Sequence, residues 1–139
     1  MDLIPAHNFI RGDRAQPLTL AAPVTLYKYL CAAIPAHATI IEKTASRLGP
    51  NQYLTPWRYY TRREAVEQLA LPGPAPTHVL ELRLSGDLLL IGPGFIEPLP
   101  PVHETLPHSH VPRPGNGIEF LLPMPFSLTH DNFDIHLLP

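Results

Sequence analysis

A single cysteine, Cys31, rules out an intrachain disulfide framework and any multi-cysteine zinc site. Cys31 then reads as a small buried apolar residue. Basic residues are in no surplus: ten Lys and Arg stand against twelve Asp and Glu, a formal net charge of −2. That balance offers no overall attraction to nucleic acid or to an anionic membrane surface. No apolar run approaches the length of a membrane span, and the first residues lack the basic-then-apolar pattern of a signal peptide. No internal repeat is visible.

Proline, by contrast, is abundant, with 19 in 139 residues. The prolines lie between apolar segments rather than in one cluster. There they pre-set turns and lower the entropy of the unfolded chain, and they argue against long helices. With 45% hydrophobic and 16% charged residues the chain is apolar enough to fold, and its length suits one domain. The expectation is a compact domain of short strands joined by stiff loops.

Residues 1–22 carry scattered apolar residues and an Arg11-Gly12-Asp13-Arg14 turn without periodicity, and read as a leader or linker. Val24 to Leu30 is rich in β-branched and aromatic residues and predicts a strand. Alternation puts Leu26, Lys28 and Leu30 on one face and Tyr27 and Tyr29 on the other. One cation between two tyrosines suits an anionic, aromatic ligand. On this segment alone, a lysine reaching past the sheet to water is the simpler reading. Ala36 to Leu48 is a helix candidate stopped by Gly49, and Gln52 to Pro56 a short strand. Trp57, Tyr59 and Tyr60 follow at once, either a core wedge or a stacking wall for a flat ring.

Thr61-Arg62-Arg63-Glu64 has the form of a capping box, opening a helix over 62–71 that Pro72-Gly73-Pro74 ends. Thr77 to Leu84 alternates as a strand, with Glu81 and Arg83 facing outward as a solvated pair. Asp87 to Ile91 is a further strand. Residues 92–114 form a long proline-broken loop with His103, His108 and His110, whose spacing makes no recognisable metal pattern. A Gly115-Asn116-Gly117 turn then leads into Ile118-Glu119-Phe120-Leu121-Leu122, a strand with one carboxylate among apolar residues. Glu119 costs little on the solvated face of an edge strand, and a great deal if buried without a partner. Phe133 to Leu138 alternates as a closing strand.

The order of these pieces resembles the ADP-ribosyltransferase-like toxin domains at the C-termini of bacterial polymorphic toxins, and the related NAD-glycohydrolase toxins. It runs from the Leu-Tyr-Lys-Tyr strand through Tyr-Leu-Thr-Pro and the aromatic patch to the Gly-x-Gly-x-Glu strand. The resemblance covers residues 23–139 and implies an α+β fold, with a split mixed or antiparallel sheet and short flanking helices. It implies Glu119 as the catalytic carboxylate, with NAD, as substrate, held by Tyr27, Lys28, Tyr29, Tyr53, Thr55, Tyr59 and Asn116. Lys28 stands where the family commonly has Arg or His, and lysine lacks the bidentate fork that grips a phosphate. Gly117 stands where arginine-modifying members carry Glu or Gln, so the acceptor expected is not arginine. The implied partners are an unknown protein or nucleic-acid acceptor in a target cell, and a cognate immunity protein. The implied setting is secretion or delivery into another cell's cytosol, with no membrane partner. Transfer of ADP-ribose and simple hydrolysis both remain open at this point. So does a non-catalytic β-rich interaction domain, with Glu119 exposed and the aromatics in its core.

Overall fold

The computed structural model describes residues 17–19, 23–69, 74–85, 88–95 and 118–139. Within them the chain forms β1 (Pro17–Thr19), β2 (Val24–Leu30), α1 (Pro35–Ile41), β3 (Arg47–Leu48), β4 (Gln52–Leu54) and α2 (Arg62–Leu69). There follow β5 (His78–Leu84), β6 (Leu89–Phe95), β7 (Ile118–Leu122), β8 (Phe126–Ser127) and β9 (Phe133–Leu137). The strands make a four-stranded sheet in the order β1-β6-β7-β4, a three-stranded sheet β2-β5-β9 and a ribbon β3-β8. Every pairing is antiparallel. The architecture is mixed, antiparallel sheets with two short helices among the described residues, as an α+β class requires. No helix among them is long and apolar enough to cross a membrane.

Among the described residues, the two larger sheets are joined by one backbone bridge. Tyr27 N–H donates to the Thr55 carbonyl at 2.7 Å, and Thr55 N–H to the Tyr27 carbonyl at 2.8 Å. This bridge sets β4 beside β2, so the sheets form one split surface. The alternation of β5 explains the core on either side of it. Leu80, Leu82 and Leu84 are fully buried and join Leu26, Leu30, Leu54 and Leu122 in a cluster drawn from both sheets. On the opposite face Tyr29 and Val79 pack with Ala65 and Leu69 of α2 and with Leu138. The outward pair of Glu81 and Arg83 is present at 3.1 Å, and Arg83 also reaches Asp134 at 2.7 Å.

The first helix is shorter than the sequence suggests. It ends at Ile41 rather than Leu48, because Lys43 takes the left-handed conformation, φ 60°. Lys43 N–H then bonds to the Ile40 carbonyl and Thr44 N–H to the Thr39 carbonyl, the paired closure of a Schellman motif. Freed from the helix, Arg47 and Leu48 pair with Phe126 and Ser127. The second helix starts as expected: Thr61 Oγ1 accepts the Glu64 N–H at 3.1 Å. The Glu64 carboxylate reaches back one residue further than in a standard box, to the Tyr60 N–H.

Two segments read as irregular are strands. Pro17–Thr19, within the expected leader, pairs with β6 as an edge strand. β6 itself runs on to Phe95, into the expected loop, through a register shift between Ile91 and Gly94. Three steps on β6 there oppose two on β7, a bulge, and Gly92 supplies its φ of 139°. A bulge is also where a strand tolerates a proline such as Pro93. Residues 96–117, with the three histidines and Asn116, lie outside the described residues, as does Ala70.

Lys43→Gly should relieve the left-handed strain, worth about 1–2 kcal/mol for an L-residue, less the greater chain entropy glycine loses. The net expectation is a gain of roughly 0.5–1 kcal/mol and a rise of about 2–4 °C in melting temperature. Gly92→Ala should do the reverse, losing at least ~1 kcal/mol. Thermal melts of the two variants check both signs.

Candidate functional site

Three neighbouring strands bring the sequence-derived positions together. β4 pairs with β7 through Gln52–Leu122, Tyr53–Leu121 and Leu54–Phe120. Thr55 and Glu119 are the residues next beyond the last pair of that ladder, and Thr55 is bridged to Tyr27. Across β7, Glu119 faces Gly94. Glu119, Thr55 and Tyr27 therefore lie in one row across the split, with Lys28 next in the chain.

Glu119 is not on a solvated edge. It is only 4% exposed, and its Oε2 has no hydrogen-bond partner among the described residues. Burial pushes its carboxyl up to about 8, and the Lys28 ammonium acts in the opposite direction. Near neutrality the acid is therefore mostly protonated. A buried polar atom with nothing to bond costs roughly 1–3 kcal/mol, and a perturbed acid near a cation is a frequent mark of a functional site. Thr55 is the other buried polar residue among the described residues, 2% exposed.

The aromatic patch is divided between support and surface. Tyr29 is buried; its hydroxyl donates to the Trp57 carbonyl at 3.0 Å and accepts the Tyr59 N–H. Its ring lies 5.7 Å from that of Tyr59, tilted by 40°. Burial holds the Tyr29 phenol well above its ordinary range, and raises that of Tyr59 too, with help from the Glu64 charge. Thr55 Oγ1 accepts the Trp57 N–H at 3.4 Å and shares a hydrogen bond with the Tyr59 side chain. Tyr29 thus pins the loop after β4 from beneath, which withdraws its ring from any ligand. Tyr27, Tyr53 and Tyr59 are half-buried, whereas Trp57 and Tyr60 stand in solvent. Asn116, the remaining binding candidate, falls outside the described residues.

One residue was missed in the sequence. The Arg58 guanidinium lies over the Tyr60 ring, 5.2 Å from its centre, and its Nε is buried without an acceptor among the described residues. The signal available was its place between Trp57 and Tyr59. Chemically, the row offers a protonatable carboxyl in a dry setting, a nearby ammonium, a buried hydroxyl and half-exposed rings. That set can accept a proton or stabilise a developing cation. The chain matches no family model, no curated protein and no solved structure.

Stability should record the burial of Glu119. Burial raises its carboxyl from an ordinary 4.5 to about 8 in the folded chain. An acid raised on folding contributes stability that is complete below the unfolded value and lost as pH climbs through the folded one. The wild type should therefore weaken between pH ~5 and ~8, by on the order of a few kcal/mol, and level off above that. Glu119→Gln should lack this slope. Denaturant titrations of both proteins across that pH range provide the comparison, and parallel curves would contradict it.

Proposed function

We propose that this chain cleaves the nicotinamide–ribose bond of NAD and transfers the ADP-ribose to a macromolecule of a target cell, as a delivered toxin domain. The observation that carries the reading is Glu119: a buried carboxyl with an oxygen unpartnered among the described residues, one strand from Thr55 and within the field of Lys28. The split antiparallel sheet supports it, because the tyrosine-lysine, threonine and glutamate strands that carry the resemblance meet at the split.

In this mechanism NAD enters with its nicotinamide ring cationic. Proximity of that cation favours the ionised form of Glu119, so substrate charges the group that burial keeps neutral. As the C1′–nitrogen bond breaks, its electron pair leaves with nicotinamide and positive charge develops on the ribose. The Glu119 carboxylate stabilises that charge where it forms, a contribution typical of sites that are prearranged rather than reorganised. Lys28 meets the pyrophosphate as a point charge, and half-buried Tyr27, Tyr53 or Tyr59 presents a π face to the ring. The acceptor's nucleophile then attacks C1′. With water in that place the same site is an NAD glycohydrolase.

Glu119→Gln should keep the fold and most NAD binding but lose about a hundredfold to a thousandfold in nicotinamide release. In the wild type, kcat/KM should rise with pH along a limb near 8, reporting the free enzyme's carboxyl. Lys28→Met removes the charge that lowers it, so this limb should move to higher pH. The assay uses labelled NAD with a target-cell lysate and follows both free nicotinamide and label on macromolecules. Nicotinamide release by Glu119→Gln at the wild-type rate would sink the mechanism. With no NAD consumed by either protein, and no growth arrest on intracellular expression, the chain is an interaction domain.

A further inference from the structure

The stretch that leaves the β4–α2 loop and enters the first turn of α2 reads Trp57-Arg58-Tyr59-Tyr60-Thr61-Arg62-Arg63. It interleaves three arginines with three aromatic rings and contains no carboxylate. In a chain of net charge −2, three of the ten basic residues thus fall within seven positions. The structure turns much of this stretch outward. Trp57 is 53% and Tyr60 65% exposed, and Arg62 and Arg63 are exposed on the first turn of α2. Arg58 lies over Tyr60, with a buried Nε that has no acceptor among the described residues. Arg62 Nε is committed to the Leu138 carbonyl and Arg63 Nε to Glu67, but a guanidinium carries five N–H donors. Large rings left in water are costly unless something covers them.

The geometry points to a docking surface for single-stranded nucleic acid, which makes a nucleobase the acceptor of the proposed transfer. This identification of the acceptor rests on the NAD reading; the binding itself does not. Unpaired bases stack on aromatic faces, and the intervening phosphates meet arginines. An acidic peptide would satisfy the guanidiniums but offer no flat partner to Trp57 and Tyr60. A duplex hides its base faces. The loop is also tied to the site, since Tyr29 and Thr55 hold the backbone of Trp57 and Tyr59 beside the Glu119 strand. In the transfer, a base nitrogen gives its electron pair to C1′ as the C1′–nicotinamide pair departs. The acceptor's proton passes to the Glu119 carboxylate.

Trp57 is the sole tryptophan and therefore reports directly on the loop. The full chain is titrated with a single-stranded oligonucleotide of about twelve nucleotides, within the usual range of site sizes. Polyglutamate of equal charge and NAD alone serve as comparisons. The oligonucleotide should quench Trp57 fluorescence, with a log–log salt slope of about −2 for three phosphate contacts. Tyr60→Ala, at an exposed ring, should weaken binding roughly tenfold, and Arg58→Gln should reduce the slope by about 0.7. Absence of quenching at low salt overturns the proposal, as does equal quenching by polyglutamate. Quenching by NAD that competes with the oligonucleotide also overturns it, by assigning the rings to the NAD site. Nicotinamide release without oligonucleotide binding leaves the NAD reading standing and removes only this one.

Discussion

The molecule depends on the exchange of two backbone hydrogen bonds between Tyr27 and Thr55. Without it, β2-β5-β9 and β1-β6-β7-β4 are two sheets sharing a core; with it, they form one surface with a split. A full ladder there would have satisfied every backbone group and closed the split. One pair leaves the strands free to diverge on either side. The position is also why Thr55 is buried: its backbone holds the bridge while its hydroxyl engages Trp57 and Tyr59. A single residue thereby couples the sheet junction to the aromatic loop.

Against that junction, the burial of Glu119 makes physical sense only as an unfinished interaction. A folding chain has little to gain from a desolvated carboxyl whose Oε2 finds no partner among the described residues, and an apolar residue would pack there at lower cost. Lys28 offsets part of the penalty without removing it, since desolvation still dominates the shift. The remainder is stored at the place where three strands of different sequence character meet. That coincidence separates Glu119 from Glu81 and Asp134, which are more exposed and bonded to Arg83.

Much of this was legible from residue order. The strand over Val24–Leu30, the second helix with its Thr61 cap, and β5, β7 and β9 follow from alternation and capping chemistry. The candidate site was legible as a set of positions, Lys28, Thr55 and Glu119, but not as a row, because register depends on tertiary pairing. What escaped did so for definite reasons. The helix ends early because Lys43 adopts a conformation that local pattern assigns to glycine. The strand expected over Asp87–Ile91 is there as β6, but its run on to Phe95 was hidden because Gly92-Pro93-Gly94 spells a loop in isolation and a bulge beside β7. Arg47–Leu48 and Phe126–Ser127 are too short to show any period, and only their mutual pairing defines them.

The tyrosines carry the argument one step further. By type they were interchangeable candidates for stacking on a ligand, yet the fold gives them opposite duties. Tyr29 spends its ring on the packing beneath α2 and its hydroxyl on two backbone groups of the neighbouring loop. Tyr60, with its backbone N–H fixed by Glu64, leaves its ring in water under the Arg58 guanidinium. The buried tyrosine is what permits the exposed one: a loop holding large rings outward needs an anchor that does not move, and a phenol buried among Val79, Ala65 and Leu69 supplies it. Because that anchor rises from β2, the strand that also carries Lys28, the loop and the carboxyl row are mounted on the same rigid element.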